Sequence, residues 1–216
     1  MVAGVLLAAG GGSRLGRPKA LVDVGGQTMV RRGITLLRDG GTDPVIVVTG
    51  ATGPDTDVTG GDASVTGVDT SSGGRERHVI SVHNPDWPTG MGSSLAVGLG
   101  AVPAGCRAAV LALVDQPLVG PEAVRRLLAA YAAGASVAVA CYDGRPRNPV
   151  LISREHWPEV IALASGDVGA RPFLRAHSEL VTEIECGDTG RPDDVDSPED
   201  LARIEALLAR TAPFPS

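Results

Sequence analysis

The chain has 216 residues, a formal net charge of −6 and a charged fraction of 20%. This length suits a single α/β domain spanning 1–216, and the acidic balance excludes the basic surface that nucleic acids and anionic membranes require. Aromatic residues make up only 3% of the chain, too few for the stacking surfaces that bind single-stranded nucleic acids. Three widely spaced cysteines fit neither a disulfide framework nor a zinc site, which favours free thiols in a reducing cytoplasm.

The first quarter of the chain reads as a strand, a helix and a second strand. The apolar segment 2–8 predicts a buried central strand, and it is too short to span a membrane. Apolar residues at helical spacing follow until Gly40-Gly41, and 45–49 is the second strand. This order implies parallel pairing with a right-handed crossover. The segment 51–77 lacks apolar periodicity and predicts a flexible loop.

Strands and helices continue to alternate through the rest of the chain. The strands are predicted over 78–82, 108–114, 136–141, 149–152 and 180–184. A short helix carries Leu95 and Leu99, with Ser93 or Ser94 as its natural N-cap. Further helices are predicted from Pro121, around Phe173 and Leu174, and from Ser197-Pro198. The pattern predicts the α/β class.

A glycine-rich turn follows the first strand and leads into two cations. It reads Gly10-Gly11-Gly12-Ser13, followed by Arg14 and Lys19. Backbone N–H groups in such a turn point at an anion, and the cations would complete a cradle for phosphate. An ordinary turn with solvated cations is the alternative.

Two familiar phosphate-binding loops do not fit this segment. A Walker-type loop needs glycine before its lysine and Ser or Thr after it, but Pro18 precedes Lys19 and Ala20 follows. A dinucleotide fingerprint needs a third glycine where this chain has Leu15. Both classes are therefore excluded.

Two acidic positions are expected at the same edge of the sheet as the turn. Asp115 closes the most apolar strand, and Asp194 belongs to an acidic cluster after the last strand. Ligands of open parallel sheets bind at the carboxyl ends of the strands, and Mg²⁺ takes one or two carboxylates beside substrate phosphates. Two alternatives stay open: Asp115 as a turn former, and the cluster 193–196 as stabilisation of the last helix.

The segment from Leu7 to Lys19, read as L-A-A-G-x-x-x-R-L-G-x-x-K, resembles the signature loop of nucleotidyltransferases with a Rossmann-like fold. The resemblance is closest to the molybdenum cofactor cytidylyltransferases and their guanylyltransferase relatives. Further similar segments follow in the same order at 84–95, 115–117, 147–150, 166–171 and 194–201. Two features depart from the family pattern: Pro146 stands where a glycine is usual, and 51–77 replaces a crossover helix.

The resemblance implies a single-domain Rossmann-like nucleotidyltransferase fold, with a mostly parallel central sheet and helices on both faces. It implies Mg²⁺-dependent transfer of a nucleotide to an acceptor phosphate with release of pyrophosphate. Arg14, Lys19 and Asp115 would be catalytic, and Asp115 with Asp194 would hold the metal. The nucleotide would bind at Leu7, Ala8, Ala9, Gly10, Gly11, Gly12, Ser13, Gly90 and Ser94. The acceptor would bind at Arg147, Pro149, Asp167 and Arg171.

The resemblance also indicates which substrates to expect. In this family an L-A-A-G loop accompanies cytidine and L-A-G-G accompanies guanosine, so Ala9 favours CTP. The segments 115–117 and 166–171 imply a molybdopterin-type acceptor, whose cytosine dinucleotide product would pass to a molybdenum hydroxylase. Transfer from GTP, transfer to a sugar or polyol phosphate, and a non-catalytic role in cofactor maturation remain alternatives.

Overall fold

The computed structural model describes residues 1–53 and 78–211. Most of the predicted loop over 51–77 lies outside the described residues, so its flexibility stays a prediction. The strands in the described part are β1 Val2–Leu7, β2 Asp23–Val24, β3 Gln27–Thr28, β4 Val45–Thr49, β5 Val79–His83, β6 Ala108–Leu113, β7 Val137–Tyr142, β8 Arg145–Ser153 and β9 Val181–Glu185. The α-helices there are α1 Met29–Gly40, α2 Met91–Gly100, α3 Pro121–Ala132, α4 Trp157–Leu163, α5 Arg171–Ala176 and α6 Pro198–Thr211.

Seven of these strands form one sheet in the order β5-β4-β1-β6-β8-β7-β9. Every neighbouring pair is parallel except the two that involve β8, which runs antiparallel to both β6 and β7. The predicted mostly parallel α/β sheet is confirmed. The carboxyl ends of β1, β4 and β6 therefore lie side by side, which gathers the loops that follow them at one edge.

Helices cover both faces of the sheet because successive side chains of a strand point to opposite faces. Leu6 packs with residues of α1, α3 and α6, including Leu37, Leu127 and Ile204. Its neighbour Val5 packs on the other face with residues of α2, α4 and α5. Burying a side chain of this size contributes about 1.5–3 kcal/mol to the stability of the folded chain. The helices on both faces therefore stabilise the central strands and the edge at which their loops meet.

Three local features differ from the sequence-based expectations. The strand predicted over 149–152 begins earlier, because Asp143 and Gly144 both take positive φ and form a two-residue hairpin turn from β7. Helix α4 was not expected. The N-cap of α2 is Gly90 rather than Ser93 or Ser94, so that prediction is wrong. No helix among the described residues is long and apolar enough to cross a bilayer.

Candidate active site

The glycine-rich loop after β1 folds back on itself. The N–H of Leu15 donates to the carbonyl of Gly12 at 2.9 Å, and the N–H of Lys19 donates to the carbonyl of Gly10 at 3.2 Å. Within the described part of the chain, the N–H groups of residues 10–13 donate to no protein acceptor. Four donors are thus available to an anion at the carboxyl end of β1.

Lys19 joins this loop to two carboxylates. Its Nζ donates to Asp115 Oδ2 at 2.7 Å and also to Asp196. Burial alone would lower the pKa of Lys19, but attraction to Asp115 and hydrogen bonds to Asp115 and Asp196 outweigh it and raise the pKa. The lysine is therefore cationic at neutral pH. Arg14 lies at the rim, 4.0 Å from Asp196 and largely exposed.

The two carboxylates of the segment 194–196 have different surroundings. Val195 between them is fully buried, and its N–H donates to the carbonyl of Asp115 at 2.8 Å. Asp194 accepts a hydrogen bond from Gln116 Nε2 at 2.9 Å. Burial raises the pKa of Asp194 against the effect of that hydrogen bond, and the nearby charges of Asp115 and Asp196 raise it further.

Asp196 was missed by the sequence reasoning, which selected Asp194. The spacing of Asp194 and Asp196 was the available signal, since residues two apart on an extended segment lie on the same side. The alternative role of the cluster, stabilising the last helix, stays open, because Asp193 pairs with Arg203 of α6 at 2.7 Å, and Ser197 and Asp200 cap the same helix. Ser197 Oγ accepts from the N–H of Asp200 at 3.2 Å, and Asp200 Oδ2 accepts from the N–H of Ser197 at 3.1 Å.

Two cavities lie side by side at this edge of the sheet. The first encloses about 600 Å³ and the second about 590 Å³. Leu7, Met91 and Leu113 line both cavities and so form their common boundary. The predicted site residues that line the first are Leu7, Ala9, Gly10, Gly11, Gly12, Ser13, Arg14, Lys19, Gly90, Ser94, Asp115 and Asp167. Ala8 does not line it, because its side chain is buried on the opposite face of the sheet.

The second cavity carries arginines around an apolar floor. Arg147 and Arg171, both predicted, line it together with Arg175, which sequence reasoning missed. The signal for Arg175 was its spacing of four from Arg171, which puts both on one side of α5. The floor consists of Leu95, Leu111, Val139, Val150, Leu174 and Val181, and Asp194 and Glu183 add two carboxylates.

Two residues predicted to contact the acceptor lie elsewhere. Pro149 is buried in β8 and lines neither cavity, although its neighbours Asn148 and Val150 both line the second. Asp167 lines the first cavity and accepts a hydrogen bond from the N–H of Met91 at 3.3 Å. Asp167 therefore lies in the first cavity, next to Met91 at the boundary with the second.

Two of the segments singled out in the sequence meet at this boundary. Gly90 has φ +115°, and a Cβ added there would lie 2.4 Å from the carbonyl carbon of Gly166. Gly169 has φ +55°, and an added Cβ would lie 2.9 Å from the sulfur of Met91. Gly90 requires glycine because a side chain would push the backbone of Gly166 away from the start of α2, whereas at Gly169 it is the positive φ that favours glycine, since the Met91 side chain can move.

The sequence of residues 4–181 matches the family described as the MobA-like NTP transferase domain. The chain belongs to this family. The predicted family and the nucleotidyltransferase class of enzyme are thereby confirmed. The glycine loop, Lys19 and Asp115 all fall inside the MobA-like match, whereas Asp194 and Asp196 lie beyond its end.

Two proteins similar to this MobA-like chain have names that indicate different activities. It is 37% identical over 210 residues to the nicotine blue oxidoreductase of Paenarthrobacter nicotinovorans, covering 94% of this chain and 96% of that protein. It is 36% identical over 131 residues to the bifunctional IPC transferase and DIPP synthase of Rubrobacter xylanophilus. That second match covers 59% of this chain and 26% of the relative, so it concerns about a quarter of that protein.

Solved structures share the MobA-like fold over nearly the whole chain. The structure of Rv0371c from Mycobacterium tuberculosis H37Rv is 27% identical, with a TM-score of 0.74, covering 95% of this chain and 98% of that one. The same protein has also been solved as a complex with manganese, at 26% identity, a TM-score of 0.70 and the same coverage.

The donor chemistry of the MobA-like site fits a divalent ion. Asp115 and Asp196 both contact Lys19 Nζ, so their carboxylates converge on one point beside the glycine loop. Among the described residues no group of three or more His, Cys, Asp or Glu side chains is arranged to hold a metal. Mg²⁺ needs only one or two carboxylates when waters and substrate phosphates supply the rest.

Gly12→Ala should disrupt the glycine loop. Gly12 has φ +60°, and an added Cβ would lie 2.2 Å from the carbonyl oxygen of Arg17. We expect nucleotide affinity to fall by more than about tenfold, because the left-handed strain adds to a clash with rigid backbone. Isothermal titration with a nucleoside triphosphate measures the loss.

Gly16→Ala is the matched control for Gly12→Ala. Gly16 has φ +69° but nothing lies within 4 Å of an added Cβ. This variant carries only the left-handed strain, about 1–2 kcal/mol, and its nucleotide affinity should stay close to that of the wild type. Equal losses in the two variants would contradict the assigned role of the Gly12 turn.

Proposed function

We propose that the chain transfers CMP from CTP to the phosphate of a molybdopterin-type acceptor and releases pyrophosphate. The observation that carries this proposal is the pair of adjoining cavities. One combines free backbone donors with Lys19, and the other combines three arginines with an apolar floor. Two phosphorylated substrates would meet at the boundary formed by Leu7, Met91 and Leu113.

The transfer itself asks the protein mainly for positioning and charge neutralisation. An oxygen of the acceptor phosphate forms a bond to the α-phosphorus of CTP, and the bond from that phosphorus to the β-phosphate oxygen breaks. The N–H groups of residues 10–13 hold the β- and γ-phosphates. Lys19 and Arg14 neutralise charge that develops on the leaving pyrophosphate. A phosphate monoester is already ionised at neutral pH, so no general base is required.

Asp115 and Asp196 are the residues that would hold Mg²⁺ in this scheme. When bound, the ion supplies positive charge to the phosphate oxygens. The manganese complex of Rv0371c supports dependence on a divalent ion. The sequence-based choice of Asp194 as the second ligand is less favoured, because its carboxylate already accepts from Gln116 and lines the second cavity.

The second cavity suits a flat heterocycle that carries a phosphate. Its apolar floor would accommodate ring faces, and Asp194 and Glu183 are acceptors for ring N–H and amino groups. The arginines at positions 147, 171 and 175 are suited to bidentate contacts with a phosphate. These features support molybdopterin over a sugar or polyol phosphate, which would leave the apolar floor unused. Ala9 lines the first cavity and supports cytidine.

A pyrophosphate-release assay tests the proposal. The purified chain is incubated with Mg²⁺ and CTP, GTP, ATP or UTP, each with and without molybdopterin. We expect release with CTP only, and only when the pterin is present. Release with GTP in place of CTP would mean that guanosine is the nucleoside transferred. In a parallel series that contains a sugar phosphate instead of molybdopterin, release would mean that the acceptor is a sugar phosphate.

Arg171→Ala and Arg175→Ala should each weaken acceptor binding specifically. We expect the KM for the acceptor to rise by about tenfold or more, since a hydrogen bond to a charged group contributes about 1.5–3 kcal/mol. The KM for CTP should stay unchanged because neither side chain lines the first cavity. Arg145→Ala is the matched control, because this exposed arginine lines neither cavity. Equal effects on the KM for CTP and the KM for the acceptor would contradict the placement of the two substrates in separate cavities.

Oxidation–reduction is a second candidate, favoured by the 37% identity to nicotine blue oxidoreductase. It would need a hydride donor such as a reduced nicotinamide dinucleotide; the loop lacks the third glycine of the usual dinucleotide fingerprint, so the pyrophosphate would depend on the unpaired N–H groups of residues 10–13 alone. The same preparation, given NADH or NADPH and nicotine blue, is followed by nicotinamide absorbance. If the chain oxidises NADH or NADPH in this assay and releases no pyrophosphate with any of the triphosphates, oxidation–reduction replaces the transferase proposal.

A further inference from the structure

Trp87 closes the first cavity on the side of the glycine loop. It begins the short turn Trp87–Thr89 that follows β5. A Cβ added to Gly11 would lie 3.2 Å from two atoms of the indole ring, and one added to Gly50 would lie 2.6 Å from the Cβ and Cγ of Trp87. The indole therefore packs directly on the backbone of the phosphate-binding loop and of the turn after β4.

The indole ring of Trp87 is also free to contact a ligand. Among the described residues that line the two cavities, Trp87 is the one aromatic side chain. It is half-buried, and its ring N–H donates to no acceptor within the described ranges. The other tryptophan of the chain is buried, and its Nε1 donates to the carbonyl of Ile152 at 3.1 Å. A tryptophan N–H usually finds a partner when it becomes buried.

The turn that carries Trp87 is held by a buried amide. Asn84 is 1% exposed, and its Nδ2 donates to Ser93 Oγ at 2.9 Å and to Ser94 Oγ at 3.0 Å. Its Oδ1 accepts from the N–H of Asp86 at 3.0 Å. These bonds tie the turn to the first turn of α2, so the indole is in position before any ligand arrives.

We propose that Trp87 stacks on the base of the bound nucleotide, an inference that rests on the proposed function. The loop donors and Lys19 occupy the phosphate end of the cavity, so the base must bind in the remaining space. The lining of the cavity beyond these donors includes Trp87, Pro88 and Gly90, and the indole ring of Trp87 offers stacking, which every nucleobase accepts because every base has a π-face. Trp87 therefore provides affinity for any base, and the choice of cytidine stays with Ala9.

The chain allows a clean optical test because it contains only two tryptophans. In a Trp157→Phe variant of the full chain, Trp87 is the remaining tryptophan, and titration with CTP and Mg²⁺ should quench its fluorescence. Inorganic tripolyphosphate, which has no base, should bind with little quenching. Calorimetry then compares the wild type, Trp87→Ala and Trp87→Phe with CTP, GTP and tripolyphosphate as ligands.

We expect Trp87→Ala to weaken CTP and GTP by the same factor, about 10- to 100-fold, and to leave tripolyphosphate affinity within twofold. Trp87→Phe should recover most of the loss. Wild-type affinity for CTP in Trp87→Ala would overturn the inference, as would equal losses for CTP and tripolyphosphate, which would mean that Trp87 only supports the loop. If one of these two results is found while the wild type still releases pyrophosphate normally, the proposed function stands and only the role of Trp87 is overturned. If the wild type binds no nucleoside triphosphate, both proposals fail.

Discussion

Lys19→Ala is expected to lower kcat for pyrophosphate release by about 10³-fold, because charge stabilisation at a transferring phosphoryl group has an effect of that size. Lys19 is the cation that lies within the cavity rather than at its rim, with only 15% of its side chain exposed. The fold should survive the change, because Asp115 and Asp196 stay partly accessible to water once the ammonium is removed. Steady-state kinetics with thermal unfolding in parallel measures both effects.

Two further variants separate the charge of Lys19 from its packing. Lys19→Met keeps an unbranched chain of similar length without the charge, and it should lose as much activity as Lys19→Ala. Arg17→Ala removes an exposed cation of the same loop that lines neither cavity, so its kcat should match the wild type. Normal turnover in Lys19→Met would show that the loop needs the side chain and not its charge.

The central strands could be predicted from sequence because their near-continuous apolar character is visible in the local sequence. β1 and β6 are apolar throughout and β4 is apolar up to Thr49, as is typical of strands covered on both faces. β8 could be predicted only in part. Its first residues are polar and exposed, and they join the strand because the hairpin turn aligns them with β7. That alignment depends on a partner strand and is invisible in the local pattern.

The N-cap of α2 shows why a local rule can fail. Ser93 and Ser94 have the side chains that favour an N-cap, but Asn84 binds both hydroxyls from the preceding turn. The helix starts earlier, at Met91, after a glycine whose positive φ lets the 166–169 turn approach. A tertiary contact therefore overrides the local preference, and the same contact builds the boundary between the two cavities.

The loop after β1 could be predicted as a phosphate-binding loop because its donors belong to consecutive residues, and within the described residues the N–H groups of 10–13 have no protein acceptor. The acidic side of the site was harder, since two candidate carboxylates lie two residues apart. Burial of Val195 and its bond to Asp115 fix the segment, so that Asp196 reaches Lys19 while Asp194 reaches Gln116. That outcome depends on contacts between distant parts of the chain.

Substituting these carboxylates singly should separate their roles. We expect Asp115→Asn and Asp196→Asn each to lower kcat by about 10²- to 10³-fold and to weaken Mn²⁺ binding, because each removes a charged oxygen ligand beside the phosphates. Asp194→Asn should leave kcat within a fewfold of the wild type and raise the KM for the acceptor instead. The amide can still accept the hydrogen bond from Gln116, so the fold is preserved.

Asp193→Asn is the matched control within the same acidic cluster. Asp193 pairs with Arg191 at 2.8 Å and with Arg203 at 2.7 Å, and it lines neither cavity. Its loss should lower the thermal midpoint slightly and leave kcat, both KM values and Mn²⁺ affinity unchanged. If Asp194→Asn loses Mn²⁺ affinity while Asp196→Asn retains it, the metal pair is Asp115 and Asp194, as the family resemblance implied. Asp196 would then serve to orient Lys19, and the loss of activity in Asp196→Asn should be smaller than in Lys19→Met.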